Sequence, residues 1–124
     1  MTDIFDIVVL GAGSSGISSA MSGADLGARV CIVEMDRIGG SQLRKGFYPI
    51  KSAIGFLKNN ASSVKIDEVV NAEILNDNIN KSMMSLSEKW KKDLIQAGVT
   101  IINGIGALSS SGIITVETNK KSID

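Results

Sequence analysis

Three glycines and one acid, Gly11, Gly13, Gly16 and Glu34, are the residues of this chain whose types and spacing best suit chemistry. They stand as G-x-G-x-x-G after one apolar run, with the acid at the end of the next. Each glycine has a task in holding a dinucleotide: Gly11 permits a tight turn, Gly13 lets the backbone approach a pyrophosphate, and Gly16 lets a helix lie close on a strand. The phosphates then meet free N–H groups at a helix N-terminus, with the hydroxyls of Ser14 and Ser15 as further donors. Glu34 is spaced to accept hydrogen bonds from ribose hydroxyls. An acid there disfavours a 2′-phosphate, so NADP does not suit this site. The alternative is an ordinary glycine turn followed by an exposed surface glutamate.

These residues act together only if a strand, a helix and a second strand position them. The run from Ile4 to Leu10, "IFDIVVL", is apolar and β-branched, as in a parallel strand buried on both faces. Ser14 to Leu26 is rich in small residues with Ile17, Ala20, Met21 and Ala24 on one helical face, and Gly27 reads as its C-cap. The strand "ARVCIVE" completes a βαβ unit over residues 4–34.

Beyond it, Ser41 to Leu57 is expected to be helical in its later part, with Pro49 in the first turn or at a kink, and "KNNASS" reads as a loop. Ile79, Met83, Leu86, Trp90 and Leu94 form one stripe of a long helix over 74–97, suited to packing on the sheet. Residues 99–117 read as a strand and a small antiparallel hairpin turning at Ser109 to Gly112. The expected fold is therefore α/β and Rossmann-like, with a parallel sheet, covering helices and a small hairpin.

Composition limits the remaining chemistry. The chain of 124 residues has no histidine and one cysteine, Cys31, so imidazole catalysis, an internal disulfide and a Cys-pair metal site are all excluded. Thirteen basic and thirteen acidic residues cancel without forming blocks, which argues against nucleic acid or an anionic membrane surface as partner. A nucleotide cofactor is the expected partner. The acidic, only briefly apolar start suits neither a signal peptide nor a membrane span, so the expected location is cytoplasmic.

The wider spacing is more specific. Gly11, Gly13, Gly16, Ala20, Ala24, Gly27, Val30 and Glu34 stand as G-x-G-x-x-G-x-x-x-A-x-x-x-A-x-x-G-x-x-V-x-x-x-E. This resembles the FAD-binding fingerprint of the pyridine nucleotide-disulfide oxidoreductases. The next stretch, "IGGSQLRKGFYPIKSAIG", is similar to that family's G-G-T-C-x-x-x-x-G-C-x-P-S-K segment, and "VTIINGIGAL" resembles a later strand and turn of its dihydrolipoamide dehydrogenases. The resemblance implies FAD as cofactor, with Gly39, Gly40 and Ser41 along its pyrophosphate and ribityl chain. It puts Pro49 and Lys51 near the flavin ring, and gives Gly106 and Ala107 backbone contacts to adenine.

The resemblance also sets Gln42 and Phe47 on the family's two redox cysteines. A thiol relay needs sulfurs that ionise and exchange, which an amide and a phenyl ring cannot do. No catalytic residue is therefore expected. The family's NAD domain, catalytic histidine and dimerisation domain have no counterpart in these residues, so the chain reads as a partial FAD-binding domain, inert alone. A helix N-terminus offers at most about 2 kcal/mol to a phosphate, against roughly 8 kcal/mol for micromolar binding. Weak FAD binding or none is expected, with a second copy or a partner chain completing the flavin site. The competing expectation is a truncated, non-enzymatic module that binds a nucleotide or a protein.

Overall fold

The structure is a computed structural model that describes residues 3–60, 72–109 and 111–118. Its elements follow the order β1 (Ile7–Leu10), α1 (Ser14–Asp25), β2 (Val30–Glu34), α2 (Gly40–Arg44), α3 (Phe47–Asn60), α4 (Ala72–Gln96), β3 (Thr100–Asn103), β4 (Ile105–Leu108) and β5 (Ile114–Glu117). β1, β2 and β3 form a parallel sheet in that spatial order, and β4 and β5 pair as a separate antiparallel hairpin. The α/β architecture with a small hairpin agrees with the sequence.

β2 sits in the middle of the sheet and is buried along its whole length, which explains its unbroken apolar run. Its side chains alternate between two faces. Val30 and Ile32 join Ala20 of α1, Leu94 of α4 and Val99 in one core cluster. Cys31 and Val33 turn to the other face, where they line a cleft with Val8, Ile102 and Val116 beside the hairpin. Among the described residues β1 and β3 each pair on one side only, so both sheet edges are open.

β1 is shorter than expected, starting at Ile7 instead of Ile4. Asp6 sets its start: its carboxylate accepts from Arg29 N at 2.7 Å, and its own N–H donates to Arg29 O at 2.9 Å. Ile4, before that clamp, is 73% exposed.

The segment after β2 breaks into α2 and α3, and Pro49 supplies the reason. As the third residue of α3 it needs no N–H partner, whereas in a continuous helix its ring would clash with the carbonyl of Lys45. The break falls at Lys45 and Gly46. α3 continues through Asn60, so the expected loop is helical at its start, and its residues 61–63 lie outside the described set.

The stripe on α4 meets the sheet core only at its C-terminal end, through Leu94 and Trp90, whereas Met83 and Leu86 lie toward α3 and not the sheet. Trp90 meets Tyr48 of α3 edge to face, ring centroids 5.6 Å apart at 78°. The hairpin closes through Ser109 N to Ile113 O at 2.8 Å and Gly112 N to Ser109 O at 3.1 Å; position 110 is outside the described residues. No helix among the described residues is long and apolar enough to cross a membrane.

Candidate dinucleotide-binding site

The parallel strands β1, β2 and β3 end at Leu10, Glu34 and Asn103, and each runs into backbone that bends around one cleft. The carboxyl ends of parallel strands are where open α/β sheets bind ligands. After β1 the chain turns through Gly11 at φ +95°, a conformation that a side chain would strain. Gly16 then brings α1 against that turn, because a Cβ on it would lie 2.0 Å from the Gly11 carbonyl oxygen. Two of the three glycines thus have reasons internal to the fold.

Gly13 differs. Its backbone is extended, at φ −74° and ψ −179°, and a Cβ on it would meet no atom within 4 Å. Nothing in the protein demands glycine there, and the space beside it faces the cleft. Gly13 is also the N-cap of α1, with no side-chain cap and no acid in the first turn, so the leading amides of that helix are left to a ligand. A dinucleotide pyrophosphate fits this cradle.

Glu34 is buried, which rules out the exposed surface glutamate of the alternative reading. One carboxylate oxygen accepts from Ala12 N at 2.7 Å and the other from Asp36 N at 2.9 Å. Each oxygen keeps a further lone pair for a ribose hydroxyl. The acid therefore braces the glycine turn as well as lining the cleft. Sequence spacing shows the second task and is silent on the first, because Ala12 and Glu34 meet only in the folded chain.

A second glycine pair closes over the first. Gly39 at φ +116° donates its N–H to Ala12 O at 2.7 Å, and Gly40 at φ +62° abuts Gly13, its Cβ position 3.0 Å from Gly13 Cα. Ser41 and Arg44 of α2 follow on the cleft wall, where Arg44 pairs with Asp36. Gly104 and Gly106 close the far side. Gly104 N donates to Glu34 O at 2.9 Å, and a Cβ on Gly106 would press on Leu10 at 2.6 Å. The cleft, open to solvent, has a volume of ≈ 470 Å³.

Of the expected site residues, Gly11, Gly13, Glu34, Gly40, Ser41 and Gly106 line this cleft. Gly16 and Gly39 shape it from behind. Ser14 and Ser15 are exposed at the start of α1, outside the lining. Ala107 lies on β4 opposite Thr115, away from it. Lys51 also stands apart, on α3 with its ammonium 5.0 Å above the Phe47 ring, beside a different surface groove. Met35, Arg44 and Gly104 line the cleft without having been singled out. Arg44 could have been found from its place one helical turn after Gly40.

Of the two positions matched to redox cysteines, Gln42 holds the start of α3. Gln42 Oε1 accepts from the N–H of Phe47, the first residue of α3, at 3.5 Å, and it packs on Gly46. Phe47 is 57% exposed, so Tyr48 rather than Phe47 anchors α3. Cys31 is buried in β2; burial first, and the charge of Asp3 second, push its thiol pKa up, which makes it a poor nucleophile. Among the described residues no group of three or more acids or cysteines forms a metal site.

No protein-family model matches the chain. It is 30% identical, in an alignment of 125 positions that covers 94% of its length, to a dihydrolipoyl dehydrogenase of Chlamydia pneumoniae, and covers 27% of that protein. It is 30% identical, in an alignment of 132 positions that covers its whole length, to a glutathione reductase of a Nostoc species, and covers 29% of it. The chain thus spans under a third of the length of these relatives. Its fold matches that of the HOCl-induced flavoprotein disulfide reductase RclA of Escherichia coli, solved as a Cu(II) complex, with a TM-score of 0.71 at 19% identity; the match covers 95% of this chain and 25% of that one. A likeness that runs along nearly the whole chain to two differently named reductases makes this chain similar to the pyridine nucleotide-disulfide oxidoreductase family over the part of those proteins that it spans, and its fold is that of the matching part of a flavoprotein disulfide reductase.

Proposed function

We propose that this chain binds the ADP half of FAD for a flavoprotein oxidoreductase and performs no thiol chemistry of its own. The open face of Gly13, set in one cleft with the buried carboxylate of Glu34, carries this reading. Gly13 and the leading amides of α1 hold the pyrophosphate, Glu34 takes the ribose hydroxyls, and Ser41 lies on the path toward the ribityl chain. The flavin, when bound, supplies hydride and electron transfer. The remaining contacts to it come from further chain or from a partner, possible partners including a second copy. Lacking those contacts, the isolated chain binds FAD weakly. A cytoplasmic setting suits it, since its one cysteine is a buried free thiol with no disulfide to form within the chain.

Titration of the purified chain with FAD, followed by flavin fluorescence with ADP and NAD as competitors, tests this. Saturable binding competed by ADP, and abolished by Gly13→Val, is expected. Binding that Gly13→Val leaves unchanged would show that the glycine turn is not the site. The helix-capping contact between Gln42 and Phe47 favours a second reading, in which the segment serves only structure and the chain is a non-enzymatic nucleotide-binding or protein-binding module. Absence of any nucleotide binding would leave protein contacts as its role.

A further inference from the structure

We propose that Arg44 is a pyrophosphate-binding residue that exchanges its ion pair with Asp36 for the phosphates when a nucleotide enters. This rests on the ADP-binding reading above. The charges in the cleft motivate it. A pyrophosphate brings about two negative charges to a lining that already holds the Glu34 carboxylate, while the start of α1 offers only about half a positive charge. Among the described residues that line the cleft, Arg44 is the only cation.

Its position matches the need. Gly40 abuts Gly13, the residue whose open side faces the ligand space, and Arg44 lies four residues later on the same face of α2. Its present partner, Asp36, is held beside the ribose acceptor through the Asp36 N–H bond to Glu34. The Arg44 and Asp36 side chains remain 32% and 53% exposed, and an ion pair so open to water is held weakly and exchanged readily. A guanidinium also suits the task, because its fork binds two phosphate oxygens at once.

The experiment measures ADP affinity at two salt concentrations, and the unfolding midpoint without nucleotide, for the full chain and for Arg44→Gln, Arg44→Lys and Asp36→Asn. Arg44→Gln should weaken ADP binding about tenfold or more and flatten its salt dependence at an unchanged midpoint, as loss of a charge-assisted hydrogen bond requires. Arg44→Lys should recover part of the loss. Asp36→Asn, which frees the guanidinium, should tighten binding. If Arg44→Gln binds ADP as the unaltered chain does, the role of Arg44 is wrong while the ADP-binding reading stands. A weakened ADP affinity with a lowered midpoint, and no gain in Asp36→Asn, would reduce Arg44 to a structural residue. Failure of the unaltered chain to bind ADP overturns both.

Discussion

Gly13 and Gly16 sit three residues apart in one motif, and the structure requires that replacing them by alanine fail in different ways. A Cβ on Gly16 would lie 2.0 Å from Gly11 O and 3.2 Å from Val9 Cγ1. The first obstacle is backbone, which cannot rotate away, so the overpacking cost falls at the upper end of about 1–3 kcal/mol. The helix gains back about 1 kcal/mol from losing a glycine. A net loss of about 2 kcal/mol follows, or a fall in unfolding midpoint of roughly 8 °C at about 4 °C per kcal/mol. Gly13→Ala meets no atom within 4 Å and keeps a backbone that alanine adopts freely. Reduced entropy of the unfolded chain offers about 0.4–1 kcal/mol, offset by a poorer N-cap, so its midpoint should stay within about 2 °C of the parent. Its ADP affinity should nevertheless fall about tenfold or more, because the methyl group fills the space the pyrophosphate needs. Thermal unfolding followed by circular dichroism, with ADP titration of each variant, reads both axes. A Gly16→Ala chain as stable as the parent would refute the close approach of α1 to the turn, and a Gly13→Ala chain with full affinity would refute the cradle.

Other substitutions probe the supports of the site. Glu34→Gln leaves either the buried amide of Ala12 or the part-buried amide of Asp36 facing an NH₂ group, so stability should fall by about 1–3 kcal/mol even without nucleotide; an unchanged urea midpoint would mean that the brace is absent. Ser87→Ala removes the 2.6 Å hydrogen bond to the carbonyl of Ile38 in a buried setting, and urea unfolding should show a loss of about 1–3 kcal/mol. Cys31, with its thiol pKa raised by burial, should react with a thiol reagent far more slowly in the native chain than in urea. As pH climbs past the ordinary thiol value the unfolded chain loses its proton first, so stability should fall there by at most about 1.4 kcal/mol per pH unit and stay flat below.

The parts of this molecule that were legible in the sequence are those fixed by local rules. The apolar run of β2, the stripe from Ile79 to Leu94 and the glycine spacing each reflect one element's own geometry, and each is found in the element the pattern indicates. The break between α2 and α3 was partly legible, since Pro49 forbids a helical carbonyl four residues earlier. The start of β1 was not, because it depends on Asp6 meeting Arg29 across the sheet. The same holds at the site. Glu34 was identified by its distance from the glycines, but its two amide partners and the neighbouring Arg44 come together only when β1, β2 and α2 converge. Lys51, expected beside a flavin ring and not in the nucleotide cleft, stands outside that cleft with its ammonium over Phe47.

That separation predicts how independent the two halves of the region are. On the nucleotide side, Ala12 is fully buried, donates to Glu34 and accepts from Gly39, while Glu34 O holds Gly104 and Ser87 holds Ile38. These bonds tie β1, β2, α4 and the hairpin together, so the cleft is organised before a ligand arrives. On the α3 side no residue is buried, and the helix leans on α4 through Tyr48 and Trp90. Phe47→Ala removes an exposed ring that lies under the Lys51 ammonium, a change that should cost within about 0.5 kcal/mol. ADP affinity should then stay within twofold of the parent chain, since none of the bonds that shape the cleft passes through that ring. A marked loss of ADP binding in Phe47→Ala would show that α3 and the glycine cleft form one cooperative unit, and the independence of the braced cleft from the loosely held α3 would have to be abandoned.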